Sequence, residues 1–361
     1  MIRVVIIDDS AFMRKAIQIM VESDPEIQVV GMARDGAEGV EMVRNLKPDC
    51  ITLDLEMPRM NGLEALDIIM RDTPTPTLVV SSISTEGAEI TLEALDRGAM
   101  DYIPKTQSFV AIDITSIKDE LLRKIKSIVA HAPTKRRAFM DAIQRRRNRA
   151  EALENSTEDG ANIPIKQSLI NKDYQVLAMG VSTGGPPVVQ YILENLPGDF
   201  PVGVMVAQHM PEVFTKPFAE RLNKLSPLNV KEAEHGETLE KGTVLIGKGG
   251  QHMVVQRKGN SVIVDMSQRP EGLLYYPSAD LMFSSLASVF GEHTLGVILT
   301  GMGHDGLLGL RDTNKANGTI IAQNEETCVI YGMPKAVVDD GIADIVASAA
   351  HIPNIITRLV Q

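Results

Sequence analysis

Three residue types that together perform acyl transfer follow apolar segments in the second half of the sequence. Ser182 lies in the glycine-rich turn Gly180–Gly185, His209 directly follows one apolar stretch, and Asp305 lies in a second glycine-rich turn after another. If these stretches are neighbouring strands, His209 can take the proton of Ser182 while Asp305 orients the imidazole. The first turn is also typical of a serine that caps a helix. The order Ser-His-Asp differs from the orders in the α/β-hydrolases, chymotrypsin and subtilisin, so the grouping is either a further convergent triad or accidental.

A second histidine competes for the role of base, because His304 directly precedes Asp305. Side chains of sequence neighbours tend to point apart, which favours His209. The remaining histidines have no metal-ligand spacing, and we interpret them as surface or structural residues: His131, His235, His252, His293 and His351.

Acidic residues are arranged in a similar way near the N-terminus. Asp8 and Asp9 follow the first apolar run, Asp54 and Ser81 end the third and fourth, and Lys105 follows the fifth. The carboxyl ends of strands in an open α/β sheet converge, so three carboxylates should face a hydroxyl and an ammonium group. Such carboxylates repel one another unless a cation compensates, and Mg²⁺ prefers oxygen ligands. Asp54 can then attack phosphorus while the cation and Lys105 neutralise the phosphoryl oxygens.

The apolar runs that position this acidic cluster alternate with amphipathic stretches. They are Val4–Ile7, Gln28–Met32, Cys50–Leu53, Thr77–Val80 and Tyr102–Ile103. Continuous apolar strands between helices predict a parallel sheet covered on both faces. Five such βα units indicate a flavodoxin-like, doubly wound α/β fold.

A new α/β pattern begins at Tyr174–Val181 and extends toward the end of the chain. Further strand candidates are Val202–Ala207, Val244–Ile246, Met253–Gln256, Val262–Asp265, Leu295–Leu299 and Thr319–Ala322. Gly259-Asn260 between two short apolar runs predicts a hairpin turn. This block is therefore predicted to be a mixed α/β, doubly wound domain with an antiparallel excursion in its middle.

The composition is that of an ordinary globular chain. Of 361 residues, 44% are hydrophobic and 23% are charged, and the net charge is -11, which argues against broad nucleic-acid binding. The basic residues concentrate between two acidic blocks, and we interpret this stretch as a linker. The predicted organisation is a first domain at 1–125, a basic and polar linker at 126–171, and a second domain at 172–361.

Cysteine usage and hydropathy indicate the compartment. Cys50 and Cys328 lie far apart and form no CxxC pair. No apolar run approaches the roughly 18 residues of a membrane span. Asp8 and Asp9 interrupt the N-terminal apolar stretch before it reaches the length of a signal-peptide core. We therefore expect a cytoplasmic protein without membrane insertion.

The acidic cluster resembles the receiver domain of two-component response regulators over essentially all of residues 1–124. The resemblance implies that Asp54 is the phospho-acceptor and that Mg²⁺ is held by its carboxylate together with neighbouring oxygens. It implies further site residues: Asp8, Asp9 and the backbone carbonyl of Glu56 for Mg²⁺, and Ser81, Tyr102 and Lys105 for the switch. The chain departs from the family in reading Pro104-Lys105-Thr106, where receivers commonly have Lys-Pro.

The turns at Ser182, His209 and Asp305, together with Tyr331–Ala336, resemble the chemotaxis protein-glutamate methylesterases (the CheB family) over about residues 175–360. The resemblance implies Ser182 as nucleophile, His209 as base and Asp305 as orienting acid, without a cofactor. It also implies oxyanion-site residues, namely Thr183 and Met302. Gly247-Lys248-Gly249-Gly250 departs from the family's usual Ala-Pro-Gly-Gly-like turn.

Together, the resemblances imply a hydrolase that demethylates glutamate methyl esters, and deamidates glutamines, on methyl-accepting chemotaxis receptors. A chemotaxis histidine kinase would phosphorylate Asp54 and so relieve inhibition of the hydrolase site. Two alternatives stay open. In the first, the second domain binds a partner or DNA and catalyses no reaction; only the basic stretch Lys135–Arg149 supports this alternative. In the second, the esterase acts on another methylated or amidated protein.

Overall fold

The computed structural model describes residues 1–105, 114–130, 165–259 and 261–361, with only the backbone of residues 114–116. The chain divides into two compact units, residues 1–134 and 135–361. The basic stretch Lys135–Arg149 lies outside the described residues. No helix within the described ranges is long and apolar enough to cross a membrane.

The first unit is a five-stranded parallel sheet in the order β2-β1-β3-β4-β5. Its strands are β1 Ile2–Ile7, β2 Ile27–Ala33, β3 Cys50–Asp54, β4 Thr77–Ser82 and β5 Asp101–Lys105. Its helices are α1 Ala11–Val21, α2 Gly36–Leu46, α3 Gly62–Asp72, α4 Thr85–Arg97 and α5 Ile114–Ala130. The predicted α/β fold is confirmed. Helix α5 continues past residue 125, and the domain boundaries stay a prediction.

Short polar side chains begin the helices of this unit close to the strand ends. Ser10, Asp35, Asn61 and Ser84 each accept a hydrogen bond from the third residue of the helix that follows. Such caps satisfy backbone N–H groups that lack partners within the helix. The central strand β3 is buried along its whole length, which fits its continuous apolar sequence.

The second unit contains a seven-stranded parallel sheet in the order β14-β13-β12-β6-β7-β9-β8, and a separate antiparallel pair. The strands are β6 Val176–Val181, β7 Gly203–Gln208, β8 Asn229–Glu232, β9 Thr243–Ile246, β10 His252–Lys258, β11 Ser261–Ser267, β12 Thr294–Ile298, β13 Thr319–Gln323 and β14 Ile345–Ala347. The helices are α6 Gln167–Ile170, α7 Gly185–Glu194, α8 Glu212–Leu225, α9 Ala279–Phe290, α10 Leu307–Lys315, α11 Met333–Asp339 and α12 Ile352–Val360.

The antiparallel excursion predicted at Gly259-Asn260 is confirmed, because β10 and β11 pair with Lys258 opposite Ser261. Helix α9 follows this pair and buries Met282, Phe283 and Leu286 in the core beneath β6 and β12. The sequence analysis did not identify β8, β14 or α9.

Candidate functional site

Ser182 and His209 follow two neighbouring strands, β6 and β7. The last residues of these strands, Val181 and Gln208, are opposite one another in the register. The backbone N–H of His209 donates to the carbonyl of Val181 at 3.0 Å. The side-chain amide of Gln208 donates to the carbonyls of Ser182 at 3.1 Å and His209 at 3.2 Å. The nucleophile and base candidates are therefore held together through their backbones.

Two glycines are required at the Ser182 turn, one within the turn and one packed against it. Gly184 begins helix α7 with a φ of 75°, and a Cβ atom there would overlap Val329. Gly301 lies against the turn, because a Cβ atom at this position would be 2.8 Å from the Cβ of Ser182. Glycine suits Gly184 because it adopts a positive φ without strain, and it suits Gly301 because it has no Cβ atom to overlap Ser182.

His209 and Asp305 form a buried pair. The Nε2 atom of His209 lies 2.7 Å from Oδ2 of Asp305, and both side chains are less than a tenth exposed. The Nδ1 atom is buried, with no hydrogen-bond partner among the residues that the structure describes. Tyr275 stacks on the imidazole, with ring centroids 4.0 Å apart and an interplanar angle of 5°. His304, the competing candidate, is exposed.

Asp305 accepts three further hydrogen bonds at the beginning of helix α9. The hydroxyl of Ser278 donates at 3.0 Å, and the backbone N–H groups of Ala279 and Asp280 donate at 2.7 and 3.1 Å. Burial alone would raise the pKa of Asp305. The hydrogen bond and charge of His209, with the backbone N–H donors, outweigh burial and lower this pKa to about 2. Asp305 is therefore a fixed carboxylate at neutral pH.

The two oxyanion-site candidates are neighbours in the chain of residues already described, since Thr183 follows Ser182 and Met302 follows Gly301. Thr183 is buried, and its carbonyl accepts a hydrogen bond from the hydroxyl of Thr300 at 2.9 Å. The Thr300 hydroxyl also accepts from the backbone N–H of Ile330 at 3.0 Å, which joins two loops beside Ser182. Met302 is half-buried.

The sequence analysis assigned no role to several residues that support the site: Gln208, Tyr275, Ser278 and Thr300. Gln208 was visible as the polar residue that ends a buried strand next to His209. Ser278 has the residue type of a helix cap, but helix α9 itself was not predicted. Tyr275 carried no pattern in the sequence that connects it with His209.

In the first unit, the carboxylates of Asp8, Asp9 and Asp54 offer oxygen atoms that all lie within 4.8 Å of one another. The Nζ atom of Lys105 is 2.7 Å from Oδ2 of Asp54 and 3.0 Å from Oδ2 of Asp8. Burial, with a smaller contribution from the charge of Asp8, raises the pKa of Asp54 to about 6 against the opposing effect of Lys105. A hard divalent cation suits this cluster of oxygens.

The remaining receiver candidates lie in the loop after β3 and on strands β4 and β5. Glu56 is exposed, and its backbone N–H donates to Oδ1 of Asp54 at 3.3 Å. Ser81 is buried; its hydroxyl donates to the carbonyl of Gly87 at 3.3 Å and accepts from Thr91 of helix α4. Tyr102 is buried, and Lys124 lies over its ring at 5.4 Å from the centroid.

Comparison with known proteins agrees with this two-unit arrangement. A family model described as CheB methylesterase matches residues 177–356, and one described as response regulator receiver domain matches residues 4–114. The crystal structure of the Thermotoga maritima CheB methylesterase catalytic domain is 39% identical and superimposes with a TM-score of 0.51, covering 52% of this chain and 100% of that chain.

Full-length relatives cover both units. A protein-glutamate methylesterase/protein-glutamine glutaminase from Lawsonia intracellularis is 43% identical over 354 residues, which is 98% of this chain and 97% of the relative. One such protein from Oleidesulfovibrio alaskensis is 45% identical over 369 residues, covering all of both chains. The chain therefore belongs to the protein-glutamate methylesterase/protein-glutamine glutaminase family, whose hydrolase domain is joined to a response regulator receiver domain.

Proposed function

We propose that this protein demethylates glutamate methyl esters and deamidates glutamines on methyl-accepting chemotaxis receptors, and that phosphorylation of Asp54 activates it. The observation that carries the proposal is the buried His209–Asp305 pair beside the Ser182 turn. The acidic cluster at Asp54 in the other unit supports the regulatory part.

In the proposed reaction, Ser182 attacks the ester or amide carbonyl of the receptor side chain. The free Nδ1 atom of His209 accepts the serine proton, while Nε2 keeps its own proton and its hydrogen bond to Asp305. The imidazolium then protonates the leaving group, which is methanol from the ester or ammonia from the amide. Water attacks the acyl-enzyme in the same way and releases glutamate. The backbone at Thr183 and Met302 is proposed to stabilise the oxyanion.

Asp305 is the orienting acid in this scheme. Its low pKa keeps the carboxylate charged while the imidazolium forms, and its three donors at the beginning of helix α9 prevent it from turning away. A carboxylate in this role fixes the tautomer of the base and stabilises its cationic form.

For the receiver, we propose that Asp54 accepts a phosphoryl group from a chemotaxis histidine kinase. Asp8, Asp9, Asp54 and the carbonyl of Glu56 would hold Mg²⁺, which neutralises charge on the phosphoryl oxygens when bound. Lys105 already bridges Asp8 and Asp54, so its ammonium group can pair with the phosphoryl group after transfer. No cofactor is proposed for the hydrolase site.

Ser81 and Tyr102 are proposed to transmit the phosphorylation state. The Ser81 hydroxyl bonds to Gly87 and Thr91 of helix α4. Turning that hydroxyl toward a phosphoryl group on Asp54 would break these bonds and loosen α4, and the buried ring of Tyr102 on β5 would respond to the change. Such a two-state element is what phosphorylation biases in a switch.

The proposed domains are a receiver at 1–125, a linker at 126–171 and a methylesterase domain at 172–361. We also propose a cytoplasmic location, where the proposed histidine kinase would act on this receiver.

Mass spectrometry of receptor peptides tests the proposed substrate most directly. After incubation with the phosphorylated protein, we expect glutamate methyl esters to become glutamates and selected glutamines to become glutamates. The Ser182→Ala variant should leave both unchanged. Unmodified receptor peptides, with conversion of a different methylated protein in the same extract, would contradict the chemoreceptor assignment.

A further inference from the structure

His252 is a buried histidine outside the proposed triad. The sequence analysis interpreted it as surface or structural, and the structure gives it no exposed surface. Its ring stacks on Tyr276, with centroids 4.3 Å apart and an interplanar angle of 25°. A fully buried imidazole with specific partners on both sides has a defined orientation and can fix the groups that bind to it.

Both ring nitrogens of His252 have partners. Nδ1 accepts a hydrogen bond from the backbone N–H of Ser278 at 3.3 Å, and Nε2 lies 3.3 Å from the carbonyl oxygen of Pro270. A backbone N–H needs an acceptor and a carbonyl needs a donor, so the ring is neutral and carries its proton on Nε2. Burial lowers the pKa of His252, in agreement with a neutral ring.

Ser278, which donates its backbone N–H to His252, also binds Asp305. Ser278 donates its hydroxyl to Oδ1 of Asp305 at 3.0 Å, and the next N–H, of Ala279, donates to Oδ2 at 2.7 Å. The same Oδ2 accepts from Nε2 of His209. A continuous series of hydrogen bonds therefore runs from His252 to the proposed base.

The aromatic contacts form a second connection between the same two histidines. Tyr275 stacks on His209, and the adjacent Tyr276 stacks on His252. The backbone of this segment is also fixed to the loop that precedes β10, because the N–H of Gly250 donates to the carbonyl of Tyr276 at 3.3 Å. A displacement of the His252 ring would thus shift both the ring that covers His209 and the donors that fix Asp305.

We propose that His252 is a positioning residue of the hydrolase, which acts through Ser278 and Tyr276 to fix Asp305 and His209. The inference rests on the proposed function of the triad. It requires the Nδ1 acceptor and not merely a ring of the right volume. A misplacement of about 1 Å in such a site costs about 100-fold in rate.

Two substitutions distinguish the effect of the Nδ1 acceptor of His252 from the effect of its aromatic ring. His252→Phe keeps an aromatic ring against Tyr276 but removes the acceptor, whereas His252→Asn places an amide oxygen near the position of Nδ1. We expect the kcat for methanol release from methylated receptor membranes to fall between about 10- and 100-fold in His252→Phe, with KM within about twofold. We expect His252→Asn to recover most of that loss.

His235 provides a control, because it is an exposed histidine of the same unit whose Nδ1 lies 2.9 Å from Oδ1 of Asp265. His235→Phe should leave kcat unchanged. Thermal unfolding of each variant verifies folding. If His252→Phe does not unfold cooperatively, His252→Gln replaces it, because its amide lies near Nε2 and leaves Ser278 without an acceptor; its kcat should be lower than that of His252→Asn.

The positioning role is wrong if folded His252→Phe retains wild-type kcat, or if the asparagine variant loses as much activity as the acceptor-deficient variant. Failure of the proposed function is a separate result, since wild-type protein and Ser182→Ala would then release methanol equally.

Discussion

His209 and Asp305, 96 positions apart in the chain, are joined by a 2.7 Å contact between Nε2 and Oδ2. In the proposed mechanism, this contact engages Nε2 and leaves Nδ1 to accept the proton of Ser182. It also supports the proposal of His209 as the base, because His304 is exposed although it is the neighbour of Asp305 in the chain.

Replacing Asp305 by asparagine should lower the kcat for methanol release by about 10⁴-fold with little change in KM, because the amide no longer holds the base in its active tautomer. Steady-state kinetics on methylated receptor membranes measure this loss. His304→Gln is the control and should remain within about twofold of wild type. Loss of activity in His304→Gln with retention in Asp305→Asn would reverse the assignment of the base.

The ring of Tyr275 should contribute to the rate through its stack on His209. A stacked aromatic pair is worth about 0.5–1.5 kcal/mol, so Tyr275→Ala should lower kcat by up to about tenfold. Tyr275→Phe keeps the ring and should retain most of the activity. Equal kcat in wild type and the alanine variant would show that the stack does not orient the base.

Gly301 should tolerate no side chain, because an alanine Cβ would lie 2.8 Å from the Cβ of Ser182 and would also overlap Met333. We expect Gly301→Ala to lose methanol release by at least about 100-fold through displacement of the nucleophile. Phosphorylation of Asp54 should proceed normally in this variant. Gly198→Ala is the control, since a Cβ there meets its nearest atom at an ordinary 3.6 Å; a similar loss in both variants would contradict the displacement.

Mg²⁺ affinity should depend on pH through Asp54, whose pKa is raised by burial to about 6. The cation requires the ionised carboxylate, so its affinity should be nearly constant above about pH 7. Below about pH 6, the affinity should weaken toward tenfold per pH unit. Titration calorimetry across this range measures the effect. Asp54→Asn should bind Mg²⁺ more weakly and lose this slope, and a pH-independent wild-type affinity would contradict the assignment.

The raised pKa of Asp54 also predicts how the free energy of unfolding of the metal-free protein changes with pH. Its pKa in the folded state is above the ordinary value of about 3.9, so the folded state retains the proton longer than the unfolded state. The free energy of unfolding should therefore fall, through this group, as the pH rises from about 4 to about 6. Denaturant titrations should find that Asp54→Asn lacks this part of the fall. Parallel pH curves for the two proteins would contradict it.

Much of the scaffold follows from local patterns in the sequence. The apolar runs predicted the five strands of the first unit, and β3 ends at Asp54, the acid that directly follows its apolar run. Strands β8 and β14 were not predicted. Only four and three residues long, they carry too little pattern, and their exposed or half-buried positions interrupt it.

The site was predictable in its residue types but not in its geometry. Ser182, His209 and Asp305 each follow a strand, which the sequence displays. The orientation of Asp305, however, depends on the donors of Ser278 and Ala279, at the beginning of a helix that the sequence analysis did not identify. The stacking of Tyr275 and Tyr276 likewise arises from tertiary packing of a loop.

Methanol release from methylated receptor membranes, measured with and without a small-molecule phosphodonor and Mg²⁺, tests the central claim most directly. We predict that wild-type activity rises with phosphodonor, that Asp54→Asn stays at the unstimulated rate, and that Ser182→Ala is inactive in both conditions. Equal stimulation of wild type and Asp54→Asn, or undiminished methanol release by Ser182→Ala, would contradict a phosphorylation-gated serine hydrolase.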